Sequence, residues 1–297
     1  MRIYGHCRFS WFGISDTGRD ITDLETARNI LWHPERMAVR FHLFETIMLP
    51  SIRAQTDADF FLYLIVSEDM PQVYHDRLAM LTRTTPMVRI LRTAERDIAR
   101  ALRPALDGSL EMAPKALHFR IDDDDALCST YIARLRNIVE RAELDPGTAI
   151  SFPKGVAGFF HDGKAKHTEF YKTYVAAGLA FVVGDGYHRN PFQVQHRKVG
   201  QRQPSFVDPT FHAFQVTLHT VNNTRGYKHI VHDHTRRSRG TERLLRNNPD
   251  VAEGAIVPAG LDPDIDRAFQ FTDARGLRTA LQQVLDARRL ATSFGFL

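Results

Sequence analysis

The sequence predicts an α/β protein whose first half, roughly residues 1–145, is a doubly wound domain. Three observations carry that expectation. Phe60 to Val66 is a near-continuous apolar run, the pattern of a strand covered on both faces. Strand-like and helix-like segments alternate through the first half, as βαβ units require. A further strand candidate, Ala116 to Ile121, runs through four adjacent aspartates toward a helical pattern.

The elements follow in order. Arg2 to Phe9 reads as a strand. Pro34 to Leu49 follows a helical period, with Met37, Phe41, Phe44 and Met48 on one side and Pro50 as the stop. Pro71 suits a first helical turn, and Val73 to Leu81 continues it. Met87 to Leu91 is a short strand. Glu95 to Leu106 is helical in pattern, with Pro104 awkward inside it. Ser129 is placed to cap a helix that turns Ile132, Leu135, Ile138 and Val139 inward. In the second half, Val156 to His161 and Lys166 to Lys172 flank Asp162-Gly163, a hairpin signal. Leu179 to Val183 is another strand, Gly186 to Pro204 is polar and loop-rich, and Ala274 to Leu290 is one amphipathic helix. Residues 146–297 are expected to complete the same domain on the acceptor side of a site.

Composition narrows the function. The 297 residues carry 39 Lys+Arg against 35 Asp+Glu, a net charge of +4. A dedicated nucleic-acid binder shows a stronger, clustered excess, so no nucleic-acid partner is expected. The two cysteines, Cys7 and Cys128, are far apart and form no CxxC pair, which excludes a zinc ribbon and a disulfide framework. The longest apolar run is too short to cross a bilayer, so no transmembrane segment is expected and the cytoplasm is the expected compartment.

The most informative stretch is His118-Phe119-Arg120-Ile121-Asp122-Asp123-Asp124-Asp125-Ala126-Leu127. Two carboxylates about 5 Å apart repel by roughly 3 kcal/mol at an effective dielectric near 20. A fold that gathers four needs a cation, open solvent or shifted protonation. Alternation along an extended chain would aim Asp122 and Asp124 one way, Asp123 and Asp125 the other. At the carboxyl end of a strand, where α/β sheets bind ligands, an Asp-x-Asp pair suits Mg2+ or Mn2+ on a diphosphate. The competing reading is a solvated acidic turn with one Asp capping a helix. An EF-hand is excluded by Ala126 at the third ligand position, and a DDxxD motif by the same residue. Neither a Walker A loop nor a G-x-G-x-x-G fingerprint is present.

These residues resemble a bacterial family of rhamnosyltransferases with the GT-A glycosyltransferase fold. Three stretches carry the likeness: Arg8-Phe9-Ser10, Leu49 to Phe60 with its Ala54-Gln55-Thr56 core, and Arg120 to Ala126. His219-x-x-Asn222 extends it more faintly. The resemblance implies a mixed sheet flanked by helices and a nucleotide-sugar donor (dTDP-, UDP- or GDP-linked). It also implies a divalent cation and transfer to a carbohydrate or other hydroxyl acceptor, in a polysaccharide pathway. It assigns the metal to Asp122, Asp124 and His219, and donor contacts to Asp123 and Asp125.

Inverting transfer needs a carboxylate to take the acceptor proton while a cation carries the leaving diphosphate. Asp208 and Asp185 are the candidates, each also a plain turn-forming Asp. Arg8 and Arg120 suit phosphate oxygens, and with Phe9 they border the expected donor site. Ser67 and Glu68 end the buried strand, where base and ribose would sit, unless Glu68 only favours the helix that follows. His229, His232 and His234, with Arg236, Arg237 and Arg239, read as a basic surface or a flap over the diphosphate. Trp11, Phe12 and Trp32 read as core or as an aromatic rim for a sugar.

Overall fold

The computed structural model describes residues 1–14, 21–111, 113–219, 242, 244, 246 and 260–297. Its larger sheet has seven strands in the order β10-β6-β9-β4-β1-β2-β3. Four form a parallel core: β1 (Arg2–Arg8), β2 (Phe61–Ser67), β3 (Val88–Thr93) and β4 (Lys115–Asp122). The other three come from the second half: β6 (Ala149–Ser151), β9 (Ala180–Gly184) and β10 (Ser205–Val207). β9 runs antiparallel to both β4 and β6, which makes the sheet mixed. A second, four-stranded sheet joins β5 (Ala126–Leu127), β11 (Phe214–Leu218), β7 (Lys154–His161) and β8 (Lys164–Tyr171). The β7–β8 turn places Asp162 and Gly163 at φ +50° and +69°, the left-handed pair a two-residue hairpin needs.

Helices flank the two sheets. They are α1 (Leu24–Thr26), α2 (Pro34–Leu43), α3 (Leu49–Arg53), α4 (Gln72–Thr82), α5 (Ile98–Glu111), α6 (Tyr131–Ala142), the short α7 (Val199–Arg202), α8 (Leu261–Ala268), α9 (Ala274–Gln283) and α10 (Ala287–Ser293). None of the described helices is long and apolar enough to cross a membrane. Trp11, Phe12 and Trp32 are buried in the core rather than forming a rim, and both cysteines are free and buried.

Four expectations change on contact with packing. Pro50 does not stop the helix begun at Pro34. Phe44–Met48 form a π turn in which the Leu49 N–H reaches back to the Phe44 carbonyl. That shift of register lets Pro50 enter α3 near its start. Pro104 stays inside α5 because it lies on the exposed face, where a carbonyl robbed of its donor can turn to water. The segment Ala274 to Leu290 is two helices, because Asp286 caps a new one by accepting from the Arg289 N–H. Ser129 does not cap α6. Its hydroxyl accepts from the Gln270 N–H, and the Gln55 side chain accepts from the Ile132 N–H in its place.

Gln55 thus explains part of the motif in which it stands. Its amide also donates to the carbonyls of Ser51 and Cys128, 2.9 Å each. The Thr56 N–H donates to the Ser129 carbonyl. One buried side chain therefore pins α3, the segment after the aspartates and the start of α6 together.

Candidate active site

β1 and β4 lie side by side with Arg8 opposite Asp122 and His6 opposite Arg120. Residues opposite each other share a face, so Arg8, Arg120 and Asp122 emerge on one side of the sheet at its carboxyl edge. Asp122 lies 3.3 Å from Arg120 Nη2 and 4.0 Å from Arg8 Nη2. Both guanidiniums rest on Phe192, 4.3 and 4.4 Å from its ring centroid. The loop carrying Phe192 contributes nothing else that the sequence singled out.

The strand stops at Asp122. The Asp125 N–H bonds back to the Asp122 carbonyl at 3.3 Å, which puts Asp123 and Asp124 in a turn. The alternation expected of an extended run therefore ends there. Arg40, from α2, binds Asp123 and Asp124 together. Its Nε donates to Asp123 Oδ2 at 3.1 Å, its Nη2 meets Asp123 Oδ1, and its Nη1 donates to Asp124 Oδ2 at 2.7 Å. His219 Nε2 lies 2.9 Å from the same Asp124 oxygen. Thr217 ties down the rest: its hydroxyl donates to the Asp124 carbonyl at 2.7 Å and its N–H to Asp125 Oδ1 at 3.0 Å.

The electrostatics follow from these partners. Burial raises the Asp124 carboxyl, but Arg40 and His219 outweigh it and bring it down to about 2, so it is ionised. Burial, and then Asp124 and Asp122, push the Asp125 carboxyl well above the usual range. Burial lowers His219 against the pull of Asp124, which favours the neutral imidazole. Burial and the neighbouring Arg120 lower Arg8 to about 10, still charged near neutral pH.

The expected site residues divide. Asp122, Asp124, Arg8, Arg120 and His219 gather at the edge. Phe9 does not: its ring is fully buried, 4.8 Å from Phe41 and 5.4 Å from Phe44, and it is core. Asp123 and Asp125 are buried against Arg40 and Thr217, so they build the turn rather than face a donor. Ser67 is buried, its hydroxyl accepting from the Phe12 N–H at 2.6 Å, while Glu68 is exposed. Asp185 follows Gly184, which pairs with Lys115 at the opposite end of β4, so antiparallel β9 carries it away from the site. Asp208 follows β10, three strands from β4, and accepts from the N–H and hydroxyl of Thr210. Asn222, His229, His232, His234, Arg236, Arg237 and Arg239 lie outside the described residues.

Sequence reasoning missed Arg40 and Thr217. A signal for Arg40 was present. It lies next to Phe41 and three residues after Met37, on a helix built around an apolar side, and a buried arginine demands an anionic partner. Arg36, one turn earlier, is likewise buried, donating to Ser10 Oγ and the Leu31 carbonyl. Ser10 itself adopts φ +44°, an uncommon value for a residue with a side chain, directly after β1.

Carboxylates and guanidiniums thus gather at the carboxyl edge of parallel strands, where α/β sheets bind ligands. Residues 2–230 match the family described as "Putative rhamnosyl transferase", and the chain belongs to that family. No curated protein matches it in sequence. Among solved structures it is similar to S. aureus TarS 1-349 in complex with UDP-GlcNAc (10% identity, 100% of this chain and 92% of that one, TM-score 0.45). The same TarS fragment with UDP gives 8% identity, 97% and 91% coverage and a TM-score of 0.41. A 4-diphosphocytidyl-2C-methyl-D-erythritol synthase gives 14% identity, 70% and 87% coverage and a TM-score of 0.36. Likenesses this distant carry no argument about the chemistry.

Proposed function

We propose that this glycosyltransferase moves a sugar, rhamnose in keeping with its family, from a nucleotide-diphosphate donor to an acceptor hydroxyl. The proposed setting is bacterial polysaccharide synthesis in the cytoplasm. The observation that carries the reading is Asp124, ionised and shared by Arg40 and His219, beside the Arg8–Arg120 pair at one sheet edge.

The donor set fits a divalent cation. Asp124 Oδ2 and His219 Nε2 stand 2.9 Å apart, an oxygen and an imidazole nitrogen that suit Mn2+ better than Mg2+, which prefers oxygen. Asp122, with a third of its side chain exposed, is two residues away. Among the described residues no three His, Cys, Asp or Glu side chains come together to hold a metal ion. Two protein donors leave room for phosphate oxygens and water. When bound, the cation would offset the charge that builds on the leaving diphosphate.

The chain's own residues do the rest. Arg8 and Arg120, two guanidiniums against the single carboxylate of Asp122, keep a surplus positive charge at the edge. That surplus attracts the donor's phosphates and holds them bidentately. Arg40 and Thr217 fix the turn so that Asp124 does not have to be ordered at the moment of reaction. The acceptor hydroxyl gives up its proton as its oxygen bonds the anomeric carbon and the bond to the diphosphate breaks, so a nucleoside diphosphate and a proton are released.

The test is a thermal-shift panel of UDP, GDP, dTDP, CMP and ATP with Mn2+, Mg2+ or EDTA. One nucleoside diphosphate should raise the melting temperature only with metal, and Asp124→Asn should abolish the shift. A nucleotide shift that ignores both metal and Asp124→Asn would overturn the metal site. Release of pyrophosphate rather than a nucleoside diphosphate would replace sugar transfer by nucleotidyl transfer.

A further inference from the structure

Arg40 does more than its neighbours. Its guanidinium pairs with two carboxylates of the acidic run, and it is itself buried at 7% exposure. Its backbone is not free to wander. His42, two residues on, bonds the Ala280 carbonyl of α9 at 2.9 Å, and Phe41 packs on Phe9 and Phe296. The guanidinium is therefore delivered by a helix locked into the core, before any ligand arrives.

This changes what the turn requires. Two buried carboxylates with no counter-charge would need a cation or a shifted protonation to stay assembled. Here a cation supplied by the fold already offsets part of that charge. The same contact weakens the turn as a bare metal site. Asp124 Oδ2 is engaged by Arg40 and His219, and Asp122 by Arg120 and Arg8. An ion arriving alone would meet a fixed positive charge and two protein donors; one arriving on a diphosphate brings its own oxygens and negative charge.

We propose that Arg40 is a built-in counter-cation of the acidic turn: it keeps Asp123 and Asp124 assembled without metal and makes tight divalent binding conditional on the donor's diphosphate. This rests on the metal-dependent donor reading above. Arg40 acts through the aspartates and is a positioning residue, not a catalytic one.

The experiment counts bound Mn2+ by the loss of the free-ion electron paramagnetic resonance signal, and follows melting temperature in parallel. Wild type, Arg40→Met and Arg40→Lys are measured without nucleotide and then with the diphosphate selected by the panel. Wild type alone should bind Mn2+ weakly and tightly once the nucleotide is present. Arg40→Met, which keeps bulk but not charge, should bind Mn2+ about tenfold or more tightly without nucleotide. Its melting temperature should fall in EDTA and recover with Mn2+. Arg40→Lys, which restores the charge, should return toward wild type. A folded Arg40→Met with no gain in Mn2+ affinity overturns the proposal, as does a wild type that binds Mn2+ equally well with and without nucleotide. Should Arg40→Met not fold even with Mn2+, Arg40→Gln is judged by the same two outcomes. Failure of the parent reading is distinct: then wild type shows no Mn2+-dependent nucleotide binding at all.

Discussion

His6 and His118 stand on β1 and β4 two residues before Arg8 and Arg120, and their protonation sets an acid limit on the scaffold beneath the site. His6 Nε2 and His118 Nδ1 are 2.8 Å apart, and His118 Nε2 is 3.0 Å from Ser109 Oγ on α5. Both rings are fully buried. Burial lowers His6 from 6.5 to about 3, and lowers His118 well below 6.5. The unfolded chain takes a proton on His6 as pH falls below 6.5, while the folded chain refuses it until about 3. The contribution is therefore fully present above 6.5 and is lost progressively down to 3. At pH 5 the gap is about 1.5 pH units, or about 2 kcal/mol at 1.36 kcal/mol per unit. The perturbation is His6→Gln, whose amide keeps a polar partner for His118 but does not titrate. Urea melts at about pH 7.5 and pH 5 give the two stabilities. Wild type should lose about 2 kcal/mol more than His6→Gln between them. Equal losses would refute the assignment of the acid sensitivity to His6.

Two further predictions concern the site. Asp208→Ala should leave the transfer rate within about threefold of wild type, because three strand spacings of about 4.8 Å separate Asp208 from β4. A loss of about a thousandfold would restore Asp208 as the proton acceptor. Thr217→Val removes the hydroxyl that serves the Asp124 carbonyl and keeps the N–H that serves Asp125. Stranding that buried carbonyl should cost about 1–3 kcal/mol. A circular-dichroism melt should drop by about 2–4 °C per kcal/mol, and an unchanged melt would show that the turn does not lean on this hydroxyl.

Much of this was legible in the sequence where local rules and tertiary packing agree. The apolar run at residues 60–66 became β2, and Asp162-Gly163 became the hairpin turn, because burial and positive φ leave few alternatives. Asp124 and His219, 95 residues apart, do meet, a pairing legible only through the family likeness. The rest depended on partners far along the chain. Ser129 has the chemistry of a cap, yet Gln270 claims it, and Gln55 takes over the capping from 77 residues away. Asp185 looked available because strand direction is not written in local sequence; antiparallel β9 sends it to the wrong end.

The acidic run is the sharpest case. Four identical residues in a row invite a single explanation, and alternation supplied one. The structure gives them three. Asp122, the last strand residue, answers to Arg8 and Arg120 on one face of the sheet. Asp123 and Asp124 turn together onto Arg40, and Asp125 is held by the backbone of β11. The division arises where β4 ends, since period-two alternation holds only while the chain is extended. It separates two tasks that the run's composition merges. One carboxylate tempers an arginine pair that, on the function proposed above, would meet the diphosphate. Another is kept ionised by a buried guanidinium beside an imidazole. A site that must hold a dianionic leaving group, and let it go, needs both signs at the same edge without letting them neutralise each other. The end of one central strand, with a charge set on each side of it, meets that requirement.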